Sequence, residues 1–366
     1  MSSKAQSKEK FKSKIGGQAV IEGVMMRGIH KAAMACRLPD GTIDLEEWAI
    51  KGGKDTPWYR KTPFVRGIFS FLTSLIDGYK CLTRSAEKQM TEEDEEEQTK
   101  FEQWLDDKLG DKLGPIITAI SMVLGVGLAI LLFMYLPSLV SKFISKFIDL
   151  SAFGKNLIEG ILKIAIFIGY TALTALTKDI RRTYEYHGAE HKTIACYEHE
   201  EELTVENVKK YTRFHPRCGT SFIFLVLFIS IFVNTIFRVS WANIFLRVVI
   251  KIALLPIVTG IAYELIRLAG KYDNIFTKII SAPGLWIQRI TTSEPDESQI
   301  ECAIAALKAC IPENKEDDKW SGKNCLINVW DCLRRAVLAR TLLARSHGCL
   351  KMWLRGRISL LSRKSV

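Results

Sequence analysis

The chain is poor in histidine and has no closely paired cysteines. Only six of its 366 residues are histidine, and its nine cysteines include no C-x-x-C pair. Scattered cysteines in an odd number are typical of reduced thiols, which excludes a disulfide-stabilised secreted domain. The N-terminal MSSKAQSKEKFKSKIGG contains no apolar run. We therefore predict no secretory signal peptide and a cytoplasmic location for residues 1–114.

Four segments are long and apolar enough to be transmembrane helices, which need roughly 20 predominantly apolar residues. They begin at Pro115, Leu157, Thr220 and Ile244. The first, PIITAISMVLGVGLAILLFMYL, contains no charged residue, whereas a surface helix of a soluble protein would carry a polar face. The sequence therefore predicts a polytopic α-helical membrane protein with four transmembrane helices and a small cytoplasmic α+β portion.

The distribution of lysine and arginine predicts the orientation of these helices. The connection at residues 178–219 carries eight Lys or Arg, whereas the connection after the first span holds only Lys142, Lys146 and Lys155. Basic residues are enriched in cytoplasmic connections. We therefore expect the chain in the inner (plasma) membrane, in contact with membrane lipid, with both termini and residues 178–219 in the cytoplasm.

These patterns divide the chain into six parts. They are cytoplasmic N-terminal strands with an amphipathic helix (1–114), a first transmembrane hairpin (115–177), a cytoplasmic loop with a His/Glu motif (178–219), a second transmembrane hairpin (220–266), a cytoplasmic C-terminal helix region (267–320) and a basic tail (321–366).

The N-terminal part contains signals for both strands and a helix. AAMACRLPDGTIDLEEWAIK predicts two strands joined by a Pro-Asp-Gly turn, in which Gly41 takes a positive φ. IGGQAVIEGVMMRG predicts a third extended segment, in which the ionisable Glu22 should meet a cation, a donor or a metal near residues 178–219. The stretch that follows Pro63 predicts an amphipathic helix, either at the membrane interface or packed on the sheet.

The basic character of the chain belongs to its tail. From Ser321 onward there are ten Lys or Arg and one acid, so the tail carries +9 of the net charge of +11 and residues 1–320 carry only +2. We therefore expect no nucleic-acid partner. The tail reads either as a basic helix on anionic lipid or as a non-native extension, and we favour the extension.

Three of the six histidines lie in YEYHGAEHKTIACYEHE, residues 184–200. Within it, His187, Glu190 and His191 match the H-x-x-E-H pattern of inverzincin zinc hydrolases. If the second span continues as a helix past Arg182, both imidazoles lie one turn apart on one face and can reach one metal. Glu190 then lies beside them as a general base.

A catalytic zinc site needs at least one further protein ligand and an open position for water. His215 and Cys218, in FHPRCGTSF, should return to the same membrane face as the motif. Glu264 lies near the cytoplasmic end of the fourth span, where an acid is costly without a partner. All three remain candidates, although a short pattern also arises by chance and Glu264 has Arg267 as an alternative partner.

Four segments together resemble the bacterial YqhQ-like family. They are IGGQAVIEGVMMRG, HGAEHKTIACYE, RFHPRCGTSF and TTSEPDESQIECAIAALKA, and the resemblance covers roughly residues 13–315. The family is a domain of unknown function labelled a predicted metal-dependent enzyme. The resemblance implies an integral membrane protein with its polar motifs on the cytoplasmic side, and the tail after Trp320 departs from the pattern.

These observations favour a metal-dependent hydrolase at the cytoplasmic membrane surface, with a divalent metal, most simply zinc. Its substrate would be a membrane peptide or a lipid, between which the residues do not choose. The alternative is a non-enzymatic membrane assembly or envelope factor, in contact with other membrane proteins, whose polar cluster is a structural metal site or a clasp between helices. A third hypothesis is a transporter. It is disfavoured because only one acid lies deep in a span and the four spans show no obvious inverted repeat.

The predicted orientation can be tested by cysteine labelling. Single cysteines introduced near Ser151 and Ser240 should react with an impermeant maleimide added to intact cells, and one near Thr204 should react only after the cells are lysed. Labelling at Thr204 in intact cells would overturn the predicted orientation.

Overall fold

The computed structural model describes residues 11–50, 57–90, 113–237, 243–272 and 274–319. All of them belong to one unit, Met1–Trp320. The predictions for the basic tail at residues 321–366 therefore lie outside the described residues.

The described elements are four strands and a series of helices, named in chain order. The strands are β1 (Gly16–Val20), β2 (Gly23–Arg27), β3 (Lys31–Arg37) and β4 (Ile43–Ala49). The helices are α1 (Trp58–Lys61), α2 (Val65–Glu87), α3 (Leu113–Ile130), α4 (Leu136–Ile144), α5 (Ala152–Thr174), α6 (Lys178–Glu198), α7 (Val205–Lys209), α8 (Gly219–Ile236), α9 (Ile244–Lys271), α10 (Ile275–Thr291), α11 (Glu297–Cys310) and α12 (Lys315–Asp318).

The strands form an antiparallel sheet in the order β1-β2-β3-β4. The Pro-Asp-Gly turn between β3 and β4 is confirmed, with Gly41 at a φ of 86°. The segment predicted as a third strand is instead a hairpin of two strands, β1 and β2. Its turn lies at Ile21 and Glu22. Glu22 adopts a positive φ of 49°, which the sequence does not predict because neither turn residue is Gly or Pro.

Four helical stretches are long and apolar enough to cross a membrane, as predicted: Ile116–Ile144, Ala152–Thr174, Gly219–Ile236 and Ile244–Ala269. The first contains a π-helical turn, Leu131–Tyr135, just before Pro137. Proline has no N–H to donate and its ring crowds the carbonyl of the preceding turn, and a π turn is one way for a helix to accommodate both effects.

The helix that carries the His/Glu motif is separate from the second span, so the motif lies on one helical face without the continuous span that the sequence analysis took as its condition. Helix α5 ends at Thr174, and α6 begins at Lys178 after Thr177 takes an extended conformation. Because α6 is a separate helix, its axis can differ from that of α5. It packs on β1, β2 and α11.

The apolar core outside the candidate spans lies between one face of the sheet and the helices α6 and α11. Its buried residues include Val24, Met26, Ala33, Ala35, Tyr186, Ala189, Ile194, Ile300, Ala303, Ile304 and Leu307. A second cluster, with Leu225, Ile229, Val233, Leu254, Val258 and Ala262, joins α8 to α9 within the candidate spans. The sheet therefore holds the motif helix on one side of the protein, and the spans form a separate core.

Helix α2 turns its small residues inward and its large apolar residues outward. Gly67 packs against Tyr263 of α9, and Gly78 packs against Gln18 of β1. Its large apolar residues Phe69, Leu72, Leu75, Ile76 and Tyr79 stay exposed, as does Phe64 just before it. The helix therefore packs on both α9 and the sheet and leaves an apolar face uncovered by the described residues.

The contact between α6 and the segment before α11 requires a glycine at position 188. A Cβ added to Gly188 would lie 2.1 Å from the carbonyl oxygen of Ser293, and Ser293 N–H also donates to the carbonyl of Tyr184 at 2.9 Å. Because backbone atoms form both sides of this contact, neither side can make room by a side-chain rotation.

Gly188→Ala should therefore destabilise the protein by about 1–3 kcal/mol, measured as a lower Tm in detergent. Gly169→Ala is the control, since no atom lies within 4 Å of its added Cβ, and it should leave Tm unchanged or raise it. Equal Tm values for the two variants would contradict the packing described.

Candidate metal centre

The two histidines of the motif lie side by side on α6. Their ring centroids are 4.4 Å apart. The Nδ1 atom of His187 lies 2.8 Å from the carbonyl oxygen of Thr291, and Nδ1 of His191 lies 2.6 Å from the carbonyl oxygen of Arg213. A carbonyl only accepts, so Nδ1 carries the proton in both rings. This is the usual arrangement of metal-binding histidines, because it fixes the ring and leaves the lone pair of Nε2 for a ligand bond.

Cys218 brings a third donor to these two rings. Its Sγ lies 3.1 Å from Nε2 of His187, and the donor atoms of His187, His191 and Cys218 all lie within 4.8 Å of one another. Cys218 is the N-cap of α8, where the positive end of the helix dipole favours a thiolate. Two helices, α6 and α8, thus supply a set of two nitrogen donors and one sulfur donor.

The charges of the cluster are strongly coupled. Burial alone would raise the pKa of the Cys218 thiol, but the adjacent imidazoles of His187 and His191 outweigh it and hold that pKa well below its usual range. Burial likewise opposes protonation of His187, yet the neighbouring sulfur raises the pKa of His187 to about 9. A thiolate is the form of cysteine that binds metal.

Glu190 lies beside the rings and is almost fully buried. Burial raises the pKa of its carboxyl, against the opposing effect of His191 and His187. The backbone of Gly17 in β1 faces the carboxyl and favours its ionised form, and a Cβ added to Gly17 would lie 3.0 Å from the Glu190 carboxyl carbon. Strand β1 thus covers the carboxylate closely, which explains the glycine at position 17.

Two buried polar atoms of the cluster have no hydrogen-bond partner among the described residues. They are Nε2 of His191 and Oε2 of Glu190. Leaving a buried polar atom unpaired costs about 1–3 kcal/mol, so proteins rarely keep two such atoms together without a ligand or water. The donor set also fits zinc, which binds histidine nitrogen and cysteine sulfur in tetrahedral sites.

His215 lies behind this cluster, outside the group of converging donors. Its ring centroid is 5.5 Å from that of His191, and its Nε2 accepts from Arg217 at 3.3 Å. Burial, and then the charge of Arg217, lower the pKa of His215 well below its usual value. Gln288 holds the His215 backbone at both its N–H and its carbonyl, so His215 is placed as a neutral neighbour of the cluster.

The structure does not bring Glu264 into the cluster. Its carboxylate pairs with Arg66, whose Nε donates at 2.7 Å and whose Nη2 donates to the second oxygen. The backbone N–H of Phe64 adds a third bond at 3.1 Å. The partner of this deep acid is therefore Arg66, 198 residues away in sequence, and the pair fastens α2 to α9.

The expectation for Glu22 is confirmed. Its carboxylate pairs with Arg182 and accepts from the hydroxyl of Tyr186 at 3.2 Å, and both partners lie on α6. Sequence reasoning missed the carbonyls of Thr291 and Arg213, the cover by Gly17 and the role of Gln288. The IGGQ segment contains Gly17 and the TTSEP segment contains Thr291, so both segments could have been considered. No sequence pattern, however, shows which backbone carbonyl an imidazole will meet.

Comparison with known proteins supports the family resemblance. A family model described as "Protein of unknown function (DUF1385)" matches residues 62–313. The chain is 35% identical over 306 residues to "Uncharacterized protein YqhQ" of Bacillus subtilis (strain 168), an alignment that covers 83% of this chain and 94% of the relative. No solved structure matches. Both matches confirm the resemblance to the YqhQ-like family.

The ligand set predicts which substitutions remove metal. His187→Ala, His191→Ala and Cys218→Ser should each reduce bound zinc to less than about a tenth of the parent value, because each removes one of three donors. His199→Ala should leave the metal content unchanged, since His199 is exposed at the end of the same helix. His215→Ala should retain metal, whereas loss in this variant would make His215 a ligand.

Metal is measured on protein purified without chelator. A parent protein that holds no metal, and whose Tm does not rise when zinc or manganese is added, would contradict the metal centre before any variant is compared.

Proposed function

We propose that this chain, which belongs to the DUF1385 family, is a membrane protein that binds one divalent metal ion, most simply zinc, and uses it for hydrolysis at the cytoplasmic membrane surface. The observation that carries the proposal is the convergence of the donor atoms of His187, His191 and Cys218 within 4.8 Å of one another. Both imidazoles are oriented by backbone carbonyls, as in known metal sites.

Three protein donors and one free position are the composition of a catalytic zinc site, whereas structural zinc sites have four protein ligands. Zinc at such a position supplies a Lewis acid that activates water at neutral pH. The role of the protein is to hold the donor atoms in place. His187 and His191 are fixed through Nδ1, and Cys218 is fixed at the start of α8.

Glu190 is the group that takes and returns the proton. The Gly17 backbone faces its carboxyl group. Its Oε2 has no partner among the described residues, so that oxygen is available to a water or a substrate. A raised pKa brings a carboxylate closer to the operating pH, which suits a general base. The substrate carries a carbonyl or phosphoryl centre and is a membrane peptide or a lipid.

The position of the cluster supports action close to the membrane surface. Cys218 directly precedes the candidate span Gly219–Ile236, and α6 follows the candidate span Ala152–Thr174 after three residues. The lysine and arginine distribution supports a cytoplasmic location of this end of the spans and of both termini, and an inner-membrane location of the protein.

The alternative is a non-enzymatic assembly or envelope factor, and one observation favours it. His187 and Cys218 contact each other directly at 3.1 Å, and their opposite pKa shifts are those of an imidazolium–thiolate pair. Such a pair would be a clasp that fastens α6 to α8 without any metal, and the protein would then act through its shape and its contacts with other membrane proteins.

Glu190→Gln separates the two functions. The amide keeps the size of the side chain but cannot accept the proton, so hydrolysis of membrane peptides and lipids in a screened panel should fall about 10²–10⁴-fold. Metal content and Tm should stay close to the parent values, unlike those of His187→Ala.

If the cluster is a clasp without metal, the outcome differs. Glu190→Gln, His187→Ala and Cys218→Ser should then all lower Tm to a similar extent, and the parent protein should contain no bound metal. Parent protein that contains metal but hydrolyses no member of the panel, with Glu190→Gln indistinguishable from it, would retain the metal centre and reject the hydrolase.

A further inference from the structure

Helices α1 and α2 form a hairpin whose tip is the turn at residues 62–64. Two contacts join the helices. The rings of Tyr59 and Phe69 have centroids 4.5 Å apart, and Nη2 of Arg60 donates to the hydroxyl of Thr73 at 2.8 Å. Since α1 precedes the turn and contacts residues that follow it, the chain reverses its direction at the tip.

The tip packs against the interior of the fourth candidate span. A Cβ added to Gly260 would lie 3.1 Å from the carbonyl oxygen of Phe64, and one added to Gly67 would lie 2.6 Å from Cβ of Tyr263. Gly260 lies nine residues before the end of this span at Ala269, which is roughly 14 Å along a helix. The tip therefore lies well inside the end of the span.

From the tip, α2 runs toward the end of the candidate spans and then onto the sheet. Phe71 meets Phe222, three residues after the first residue of α8, with ring centroids 5.7 Å apart. Farther along, Gly78 packs against Gln18 of β1. The first half of α2 thus lies beside the spans, and its second half lies on the sheet.

The backbone N–H groups of the tip all have acceptors within the protein. Those of residues 62, 65, 66 and 67 donate to nearby carbonyls, and Pro63 has no N–H. Phe64, at a positive φ of 65°, donates to Oε1 of Glu264 at 3.1 Å. A turn in water can leave such groups to the solvent, whereas irregular backbone at membrane depth must be satisfied by the protein.

The outward face of the first half of α2 is apolar. Residues 67–76, GIFSFLTSLI, contain no charged side chain. Phe69, Leu72 and Ile76 follow one another at intervals of three and four residues and are all exposed. Charge returns at Asp77, which pairs with Arg27 of β2. The change from uncharged to charged sequence therefore coincides with the change of packing from the spans to the sheet.

This face is continuous with exposed apolar surfaces of the spans on which α2 packs. Ile223 directly follows the Phe222 contact, Ile257 lies three residues before Gly260, and both side chains are exposed. Trp58 at the start of α1 is exposed as well, and tryptophan is enriched where a bilayer meets water. If acyl chains surround the spans, the same chains reach the first half of α2.

We propose that α1 and the first half of α2 form a re-entrant hairpin, which enters and leaves the cytoplasmic leaflet through the same surface and meets lipid acyl chains with Phe64, Phe69 and Leu72. The pair of Arg66 and Glu264 fastens its tip to α9. Lys61 is exposed, and its long stem lets the ammonium group reach the headgroups. The proposal rests on the membrane placement of the spans in the proposed function, but not on metal or hydrolysis.

The experiment measures the surroundings of single cysteines labelled with bimane in the full chain. Cys325, Cys332 and Cys349 are first replaced by serine, because the six other cysteines are buried. This background protein without an added cysteine gives the residual labelling. Leu72→Cys and Ile76→Cys report on the hairpin, and both native side chains are exposed, so the label does not displace a packed group.

Two further variants are the matched controls. Leu124→Cys lies on the exposed surface of the first candidate span, and Glu87→Cys lies on the exposed surface near the end of α2. In phosphatidylcholine nanodiscs, a nitroxide near the head of the lipid acyl chain should quench bimane strongly at Leu72→Cys and Leu124→Cys, less at Ile76→Cys and least at Glu87→Cys. Iodide in the buffer should quench bimane at Glu87→Cys several-fold more than at Leu72→Cys.

Iodide quenching at Leu72→Cys as strong as at Glu87→Cys would leave this face in water, open to a partner protein, and would overturn the proposal. Protection from both quenchers would mean that a second copy of the chain covers the face, which overturns it equally. Nitroxide quenching at Leu124→Cys without quenching at Leu72→Cys rejects the hairpin alone. Its absence at both sites also rejects the membrane placement in the proposed function.

Discussion

Polar side chains buried beside apolar helices must find their partners within the protein, because a bilayer offers none. This constraint orders the whole structure. Glu264 meets Arg66 and thereby fastens α2 to α9. Glu159 gathers three cations from two helices. Each of these contacts joins elements that are distant in sequence, so the polar pairs define which helices are neighbours, while the apolar residues supply the packing between them.

The same constraint explains why the His/Glu motif lies outside the spans. Helix α6 carries many polar side chains, and it is stable as a buried helix because strands, backbone carbonyls and α11 surround it with partners. Glycines at two positions make this enclosure close. Gly188 admits the backbone of Ser293, and Gly17 admits the carboxylate of Glu190. The sheet thus acts as the cover of the candidate centre, and the spans fix its position through Cys218.

The proposed metal centre and the buried group of Glu159 with Lys163, Arg247 and Lys251 lie at opposite ends of one bundle and differ in their physical basis. The first combines two imidazole nitrogens and a cysteine sulfur with two unpaired polar atoms, a combination that suits metal binding. The second joins one buried carboxylate to three basic side chains and fastens α5 to α9. Helix α8 connects the two regions, since Cys218 precedes its first residue and Thr235, near its last, accepts from Asn156.

The sequence by itself determined the four apolar helices, the Pro-Asp-Gly turn, the one-turn spacing of His187 and His191, and the family. All of these depend on short periodic patterns or on contiguous segments. Only the tertiary structure decided that Cys218 joins these histidines while Glu264 pairs with Arg66, and that Glu159 meets Arg247 across 88 residues. Periodicity states which face of a helix a residue occupies, but the element opposite that face is chosen by long-range packing, which no local pattern encodes.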